Sequence, residues 1–329
     1  MSENNRGFAG FKGVLELEWV RPLGTLLFVI VLATVFSPYR EGFPVFWHSM
    51  NLFNVLRQIS EIGILAVGMT LVIITAGIDL SVGSILALSA TLFALTFVRE
   101  GWPLPAALVV SLLAATAFGL ANGLLITRLR MQPFIATLAT MTGSRGFAKW
   151  LVDNENIDIP FGEEYSARVA DFLAQKSVVI PTFAAIALIG AVLLNRTRLG
   201  RYAVAIGGSE ETARLSGIAV RWVKVRVYIL SGVFAGIAGI LHCAQTHQGS
   251  SNAGVSYELD AIAAAVIGGT SLAGGKGGIL GAVVGALALG ILSNLLGLRN
   301  VDENVQWMAK AVIIVIAVWL QMVGSKKKA

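Results

Sequence analysis

Ten stretches of this chain are apolar over about the length that crosses a bilayer, and the polar segments between most of them are short. No other feature limits the fold as much. A helical span needs about 20 mostly apolar residues, and fewer suffice where a helix breaks or tilts. The candidates are residues 20–37, 59–77, 80–98, 104–126, 133–152, 177–195, 225–246, 258–272, 278–298 and 307–323. Only 13% of the 329 residues are charged and 56% are hydrophobic, whereas a soluble domain carries about 25% charge. The expected fold is therefore all-α: a polytopic membrane protein of about ten transmembrane helices. The 36 glycines fit helices that approach closely or break within the membrane.

An even number of spans puts both ends on one side, and the Lys/Arg bias selects the side. With cytoplasmic termini, Arg128, Arg130, Arg196, Arg198, Arg201, Arg214, Arg221, Lys224, Arg226, Lys276 and the tail Lys326 to Lys328 lie inside. Outside lies an acidic loop with Asp153, Glu155, Asp158, Glu163, Glu164 and Asp171. The expected cytoplasmic parts are residues 1–19, the loop 196–224 and the tail 324–329. The net charge of +6 is scattered among apolar spans, which argues against a nucleic-acid partner and for membrane topology. Residues 1–19 are polar and lack the compact apolar core of a cleavable signal. Within the acidic loop, Val169, Phe172 and Leu173 recur at helical spacing, so an interfacial helix is expected over 166–175. That loop is either a docking surface for an extracytoplasmic partner or simply solvated.

A polar island between two long apolar runs, residues 205–218, reads as a short helix. Ser209 can cap it, Glu210 and Glu211 sit in the first turn where the helix dipole favours anions, Glu210 reaches Arg214 at i,i+4, and Gly217 stops it. Two turns are marginal in water unless a neighbour holds them. The plain alternative is a solvated loop helix.

Few groups offer chemistry. Asp79 is the only acidic residue between Ile62 and Val98; it is either a functional carboxylate or a cap, with Ser81, for the next helix. Arg145 and Lys149 could face a hydrated cavity or reach the outer surface. Asn122, Gln245, Asn294 and Gln306 could line a pathway or hydrogen-bond between helices. His242 lies near the outer end of its span as an interfacial side chain, and five-residue spacing from His247 places the two on different faces, against a metal site. The single cysteine, Cys243, is expected to pack as a small hydrophobe. Gly274–Gly278 lacks the spacing of a phosphate loop: Gly277, not Ser or Thr, follows Lys276, so no ATP site is present and a tight turn is expected. The frame Gly77-x-x-Leu80-x-x-Gly83 returns as Gly269-x-x-Leu272-x-x-Gly275, a weak internal echo. If the halves are related, each carries a broken helix, whose exposed backbone must face water or protein.

Three runs carry a resemblance: residues 74–84 (ITAGIDLSVGS), 207–218 (GGSEETARLSGI) and 257–278 (YELDAIAAAVIGGTSLAGGKGG). Their order and content resemble the permeases of ATP-binding-cassette importers, in the branch for ribose, xylose, arabinose and galactose. Ser209 stands where that family commonly has Asn, and both cap helices. The resemblance implies one transmembrane permease domain over 1–329, passive in itself and without cofactor or metal, in a bacterial inner membrane. It implies a separate ATPase subunit docked on a cytoplasmic coupling helix at Gly207, Gly208, Ser209, Glu210, Glu211, Arg214, Leu215 and Gly217. It also implies an extracytoplasmic sugar-binding protein and a second copy of the chain, with the pathway at the interface. Asp79, Asn122, Arg145, Gln245 and Asn294 are the pathway candidates. The alternative is an ion-coupled secondary transporter, for which the supply of membrane ionisable groups is poor. A membrane enzyme would need a metal cluster or a nucleophile and base, and neither is visible in the sequence.

Overall fold

The structure, a computed structural model, describes residues 20–40, 42–302, 304–312 and 315. Helices follow the apolar runs in order: α1 Val20–Phe36, α2 Ser49–Ile74, α3 Val82–Ala94, α4 Leu104–Thr127, α5 Pro133–Leu151, α6 Tyr165–Ala174, α7 Lys176–Arg196, α8 Arg198–Gly208, α9 Glu210–Leu215, α10 Val220–Thr246, α11 Tyr257–Ile267 and α12 Ile279–Leu298. Two small antiparallel ladders join Tyr39–Arg40 to Phe43–Pro44 and Ile157–Asp158 to Gln248–Gly249. Nine of the ten expected spans thus contain a helix. The tenth, residues 307–323, lies largely outside the described residues, of which 304–312 are helical.

Six helical segments among the described residues are long and apolar enough to cross a membrane: α2, α3 with its π-helical continuation to Arg99, α4, α7, α10 and α12. Burial separates centre from rim. The most apolar windows of α2, α3 and α10 are 83%, 83% and 72% buried, but those of α4 and α7 only 22% and 28%. The first three therefore form the core, and the other two leave most of their surface for lipid. Small residues permit the core contacts: Ser89 Oγ donates to the Gly236 carbonyl at 2.9 Å between α3 and α10, and Gly119 on α4 lies against Gly232.

Two expected boundaries move. α2 begins at Ser49 rather than residue 59, because hydropathy reports contact with lipid, while Asn51, Asn54, Arg57 and Gln58 continue the helix as its polar end. The eighth span is the half-helix α11, which ends at Ile267 and at about 1.5 Å per residue is too short to cross. Residues 250–256 lead into it as irregular backbone, with Ser256 at φ +67°. This stretch is held by protein: Arg145 Nη1 donates to the carbonyls of Ser251 and Ala253 at 2.8 and 2.9 Å. Arg145, expected at a cavity or surface, braces the entry to the half-helix.

The acidic loop does contain a helix, α6, with Ala167, Val169 and Ala170 buried. Val169 and Ala170 join Phe97, Ile157, Ile240 and Cys243 in one apolar cluster, while Phe172 is exposed. Cys243 is a free, buried thiol packed there as expected.

Candidate functional site

The polar island folds as two short helices hinged at Ser209. α8 starts with Thr197, whose hydroxyl accepts from the Gly200 amide at 3.4 Å, and it buries Gly200, Ala203 and Ile206. Ser209 then caps α9: its Oγ accepts from the Thr212 amide at 3.2 Å. At the other end the Gly217 amide donates to the Arg214 carbonyl at 3.0 Å and the Ile218 amide to the Ala213 carbonyl at 3.1 Å. Gly217 sits at φ +81°. These paired bonds around a left-handed residue form a Schellman stop, the geometry in which glycine carries no Cβ penalty.

One expected contact is different. Glu210 does not pair with Arg214; Glu211 does, three residues away, with both oxygens engaged at 2.6 and 3.2 Å. Glu210 instead accepts from Lys224 at 2.5 Å, on the first turns of α10. The i,i+4 rule considers one isolated helix, whereas α9 is folded back against the next. The Arg214 hydrogen bond, with its charge, holds the Glu211 carboxyl below the ordinary carboxylate range. Ala213 is the buried residue of α9, and Leu215 is 77% exposed. Tyr202 of α8, with Ala219, Trp222, Val223 and Arg226 at the start of α10, lines a groove of about 330 Å³, and Trp222 is 59% exposed. Glu210→Lys should set two cations against each other and oppose the helix dipole, terms of a few tenths to about 1 kcal/mol each. The expected result is an α9 loosened from the start of α10, read as faster backbone amide exchange across residues 210–215 at unchanged membrane expression.

α8 reaches the two helix breaks. The turn 75–81 separates α2 from α3, and the turn 268–278 separates α11 from α12. They meet where the Gly275 amide donates to the Ile74 carbonyl at 3.0 Å and Gly274 lies against Ala76. Gly207 lies directly over that hydrogen bond: a Cβ there would overlap the Ile74 carbonyl and the Gly275 amide, while Gly208 faces open space. The glycine-rich run 274–278 is a tight turn closed by the Ser271 amide on the Lys276 carbonyl, as its spacing implied. The two echoed frames, distant in sequence, are therefore neighbours in space beneath the end of α8.

Above that contact lies a closed polar knot. Asp79 and Asn122 are both fully buried. Asp79 Oδ1 accepts from the Ser81 amide at 3.0 Å and the Ser81 hydroxyl at 2.6 Å, and Oδ2 accepts from Ser231 on α10 at 2.9 Å. Asn122 on α4 donates to Ser81 Oγ at 2.8 Å and accepts from Thr140 on α5 at 2.5 Å. Asp79 thus organises its local turn and also ties it to α10. Ser81 holds the cap position of α3, but its hydroxyl is spent on Asp79 and Asn122 and makes no bond to the helix's own first amides. Asp79→Ala should strand several buried donors, each costing about 1–3 kcal/mol, so detergent-solubilised protein should melt well below wild type. Asp79→Asn, which keeps an acceptor oxygen, should lose less in the same thermal-melt measurement.

The remaining pathway candidates lie apart. Asn294 on α12 exchanges hydrogen bonds with Asn51 on α2 at 3.0 Å. Gln245 on α10 joins Glu61, Arg57 and His242. His242, read as interfacial, is turned inward, with Nδ1 at 2.8 Å from the Glu61 carboxylate. Sequence reasoning missed Glu61 altogether; the only available signal was a carboxylate at the apparent edge of an apolar run. Among the described residues no group of three or more His, Cys, Asp or Glu could hold a metal ion.

Interrupted helices meeting at a glycine contact beneath a capped polar segment make this a polytopic membrane protein with broken spans. Comparison with known proteins gives the family. Residues 51–319 match the family described as "Branched-chain amino acid transport system / permease component". The chain is 41% identical over 314 residues to the ribose import permease protein RbsC of Escherichia coli K12, covering 94% of this chain and 95% of that one. It is also 41% identical over 312 residues to the ribose import permease protein RbsC of Bacillus subtilis 168, covering 94% of each chain. The xylose transport system permease protein XylH of E. coli K12 is 32% identical over 378 aligned positions, covering 97% of this chain and 95% of that protein. The chain belongs to this family of ATP-binding-cassette importer permeases and is a multi-pass membrane protein, a transport component without catalytic activity of its own.

Proposed function

We propose that the chain is the membrane permease of an ATP-driven importer of a monosaccharide, with ribose the first substrate to test. The supporting observation is identity of 41% along nearly the whole length of ribose permeases from two distantly related bacteria, against 32% for a xylose permease. Identity spread over the full chain weighs more than the amino-acid wording of a family description that covers many permeases.

In this reading α8 and α9 form the cytoplasmic coupling segment. The nucleotide-binding subunit seats against Leu215, Gly217 and the groove at Trp222, and a binding protein delivers sugar to the opposite face. Both termini lie in the cytoplasm of the inner membrane, and two copies of the chain enclose the route. Ser209, Glu210, Glu211 and Arg214 keep α9 folded, while Gly207 and Gly208 join it to the breaks. Asp79 and Asn122 fix the helices on which the route depends, and Arg145, Gln245 and Asn294 fix the entry to the half-helix and the contacts of α2.

Uptake of labelled ribose into vesicles with ATP but no ion gradient, with and without the ATPase subunit, tests the assignment. Uptake that needs the ATPase supports it; uptake driven by a proton or sodium gradient alone would return the chain to the secondary transporters. Reporter fusions after Ser325 and after Glu163 should give cytoplasmic and external signals respectively.

A further inference from the structure

Arg57, Glu61, His242 and Gln245 form a polar cluster that neither the docking segment nor the Asp79 knot uses. Glu61 Oε1 accepts from Gln245 Nε2 at 2.7 Å, and Oε2 accepts from His242 Nδ1 at 2.8 Å. Arg57 Nε donates to Gln245 Oε1 at 2.9 Å. The Tyr257 ring stands edge-on to His242, with centroids 6.0 Å apart.

Position sets this cluster apart from an ordinary bond between helices. Glu61 lies roughly 20 Å along α2 from Ile74, within the ~30 Å of a hydrocarbon core. Tyr257 is the first residue of half-helix α11, so the cluster sits where the irregular stretch 250–256 becomes helix. Interrupted helices in transporters present such ends to the solute. The approach is polar as well. Asn54, Arg57, Gln58 and Glu61 recur at i, i+3, i+4 and i+7 on one face of α2. Asn54 and Gln58 are exposed, Arg57 is half-buried, and the Glu61 side chain is only 9% exposed. A charged and amide-bearing face on a spanning helix does not meet lipid. It meets water or protein and leads inward to the carboxylate.

The chemistry fits a polyhydroxylated solute. A carboxylate accepts only, a guanidinium donates only, and a carboxamide does both. Each sugar hydroxyl likewise donates and accepts, so it can replace a bond of the cluster one for one. The Tyr257 ring adds an apolar surface for the C–H face of a sugar ring.

We propose that Arg57, Glu61, His242 and Gln245, with Tyr257, form a hydroxyl-binding constriction on the sugar's route, closed by its own hydrogen bonds when no sugar is passing. This inference rests on the sugar-importer reading above. Its test uses the full complex of permease, ATPase and binding protein in proteoliposomes, measuring labelled ribose uptake and binding-protein-stimulated ATP hydrolysis in the same vesicles. Gln245→Leu and Glu61→Gln should each lower ribose moved per ATP hydrolysed about tenfold, while hydrolysis stays within about twofold of wild type. His242→Gln, which retains a donor for Glu61, should keep most of the uptake. Tyr257→Leu breaks none of the bonds among the four polar residues and should also lower the ratio, so the proposal remains testable if a polar variant fails to assemble. Parallel loss of uptake and hydrolysis in Gln245→Leu would reduce the cluster to a brace between helices and overturn the proposal. Unchanged uptake in both Gln245→Leu and Tyr257→Leu would overturn it too. A wild-type complex that moves no monosaccharide sinks the sugar reading and this proposal together, whereas normal wild-type uptake with indifferent variants sinks this proposal alone.

Discussion

Leu215→Asp should abolish ribose uptake and binding-protein-stimulated ATP hydrolysis at normal expression of a folded permease. Leu215 is 77% exposed at the end of α9, so the isolated chain gains little from its side chain. Its neighbours do the folding: Ala213 is buried, Ser209 caps the start and Gly217 closes the end. A carboxylate at 215 therefore leaves α9 intact. If α9 docks as proposed, it would be desolvated in the complex against a partner surface where an apolar anchor had been. Losing such an anchor commonly costs about 2 kcal/mol or more, and an unpaired charge in its place adds to that. Both activities should fall by at least about tenfold, with the ATPase subunit's own basal hydrolysis retained. Leu215→Pro should give the same loss by a different route, because the ring removes the residue's amide and crowds the Glu211 carbonyl one turn earlier. Near-normal uptake by the aspartate variant would return the segment to an ordinary solvated helix.

The contrast between Ala213 and Leu215 shows which information the sequence carried. Start, stop and length of α9 were legible because Ser209 and Gly217 act on their own neighbours within one turn. The partner of Glu210 was not, since Lys224 comes from the following helix and an i,i+4 rule cannot see it. The spans follow the same division. Their order was readable from hydropathy, but the N-terminal end of α2 was lost because Asn51, Asn54, Arg57 and Gln58 make a polar helix surface rather than a lipid-facing one. The cluster on Glu61 was hidden for a simpler reason: its partners His242 and Gln245 are 181 and 184 residues away. Separation also made the echo at 77–83 and 269–275 look weak as a pattern. In space, the last residue of the second frame, Gly275, donates to Ile74, three residues ahead of the first.

That bond gives the sharpest expected contrast between adjacent residues. Gly207→Ala should destroy assembly of the permease, and Gly208→Ala should be tolerated. A single methyl at 207 has nowhere to go, because the atoms it would meet are the backbone of Ile74 and Gly275. A side chain could swing aside; these atoms are fixed in a hydrogen bond between two helix breaks. Overpacking a well-filled contact costs about 1–3 kcal/mol even where neighbours can relax. Here relief requires that α8 lift off the breaks, that the breaks part, or both. Gly208 has no atom within 4 Å of its would-be Cβ, and alanine is the better helix former by about 1 kcal/mol. The two variants differ by one position and add the same methyl, so composition and expression effects cancel. Fluorescence-detected size-exclusion chromatography of the solubilised chain should show loss of the folded peak for Gly207→Ala alone, and a double variant with Gly208→Ala should not rescue it. Equal folding and equal uptake for both alanine variants would mean that the end of α8 does not rest on the helix breaks. Any motion of the proposed docking segment would then have to reach the spans by another contact.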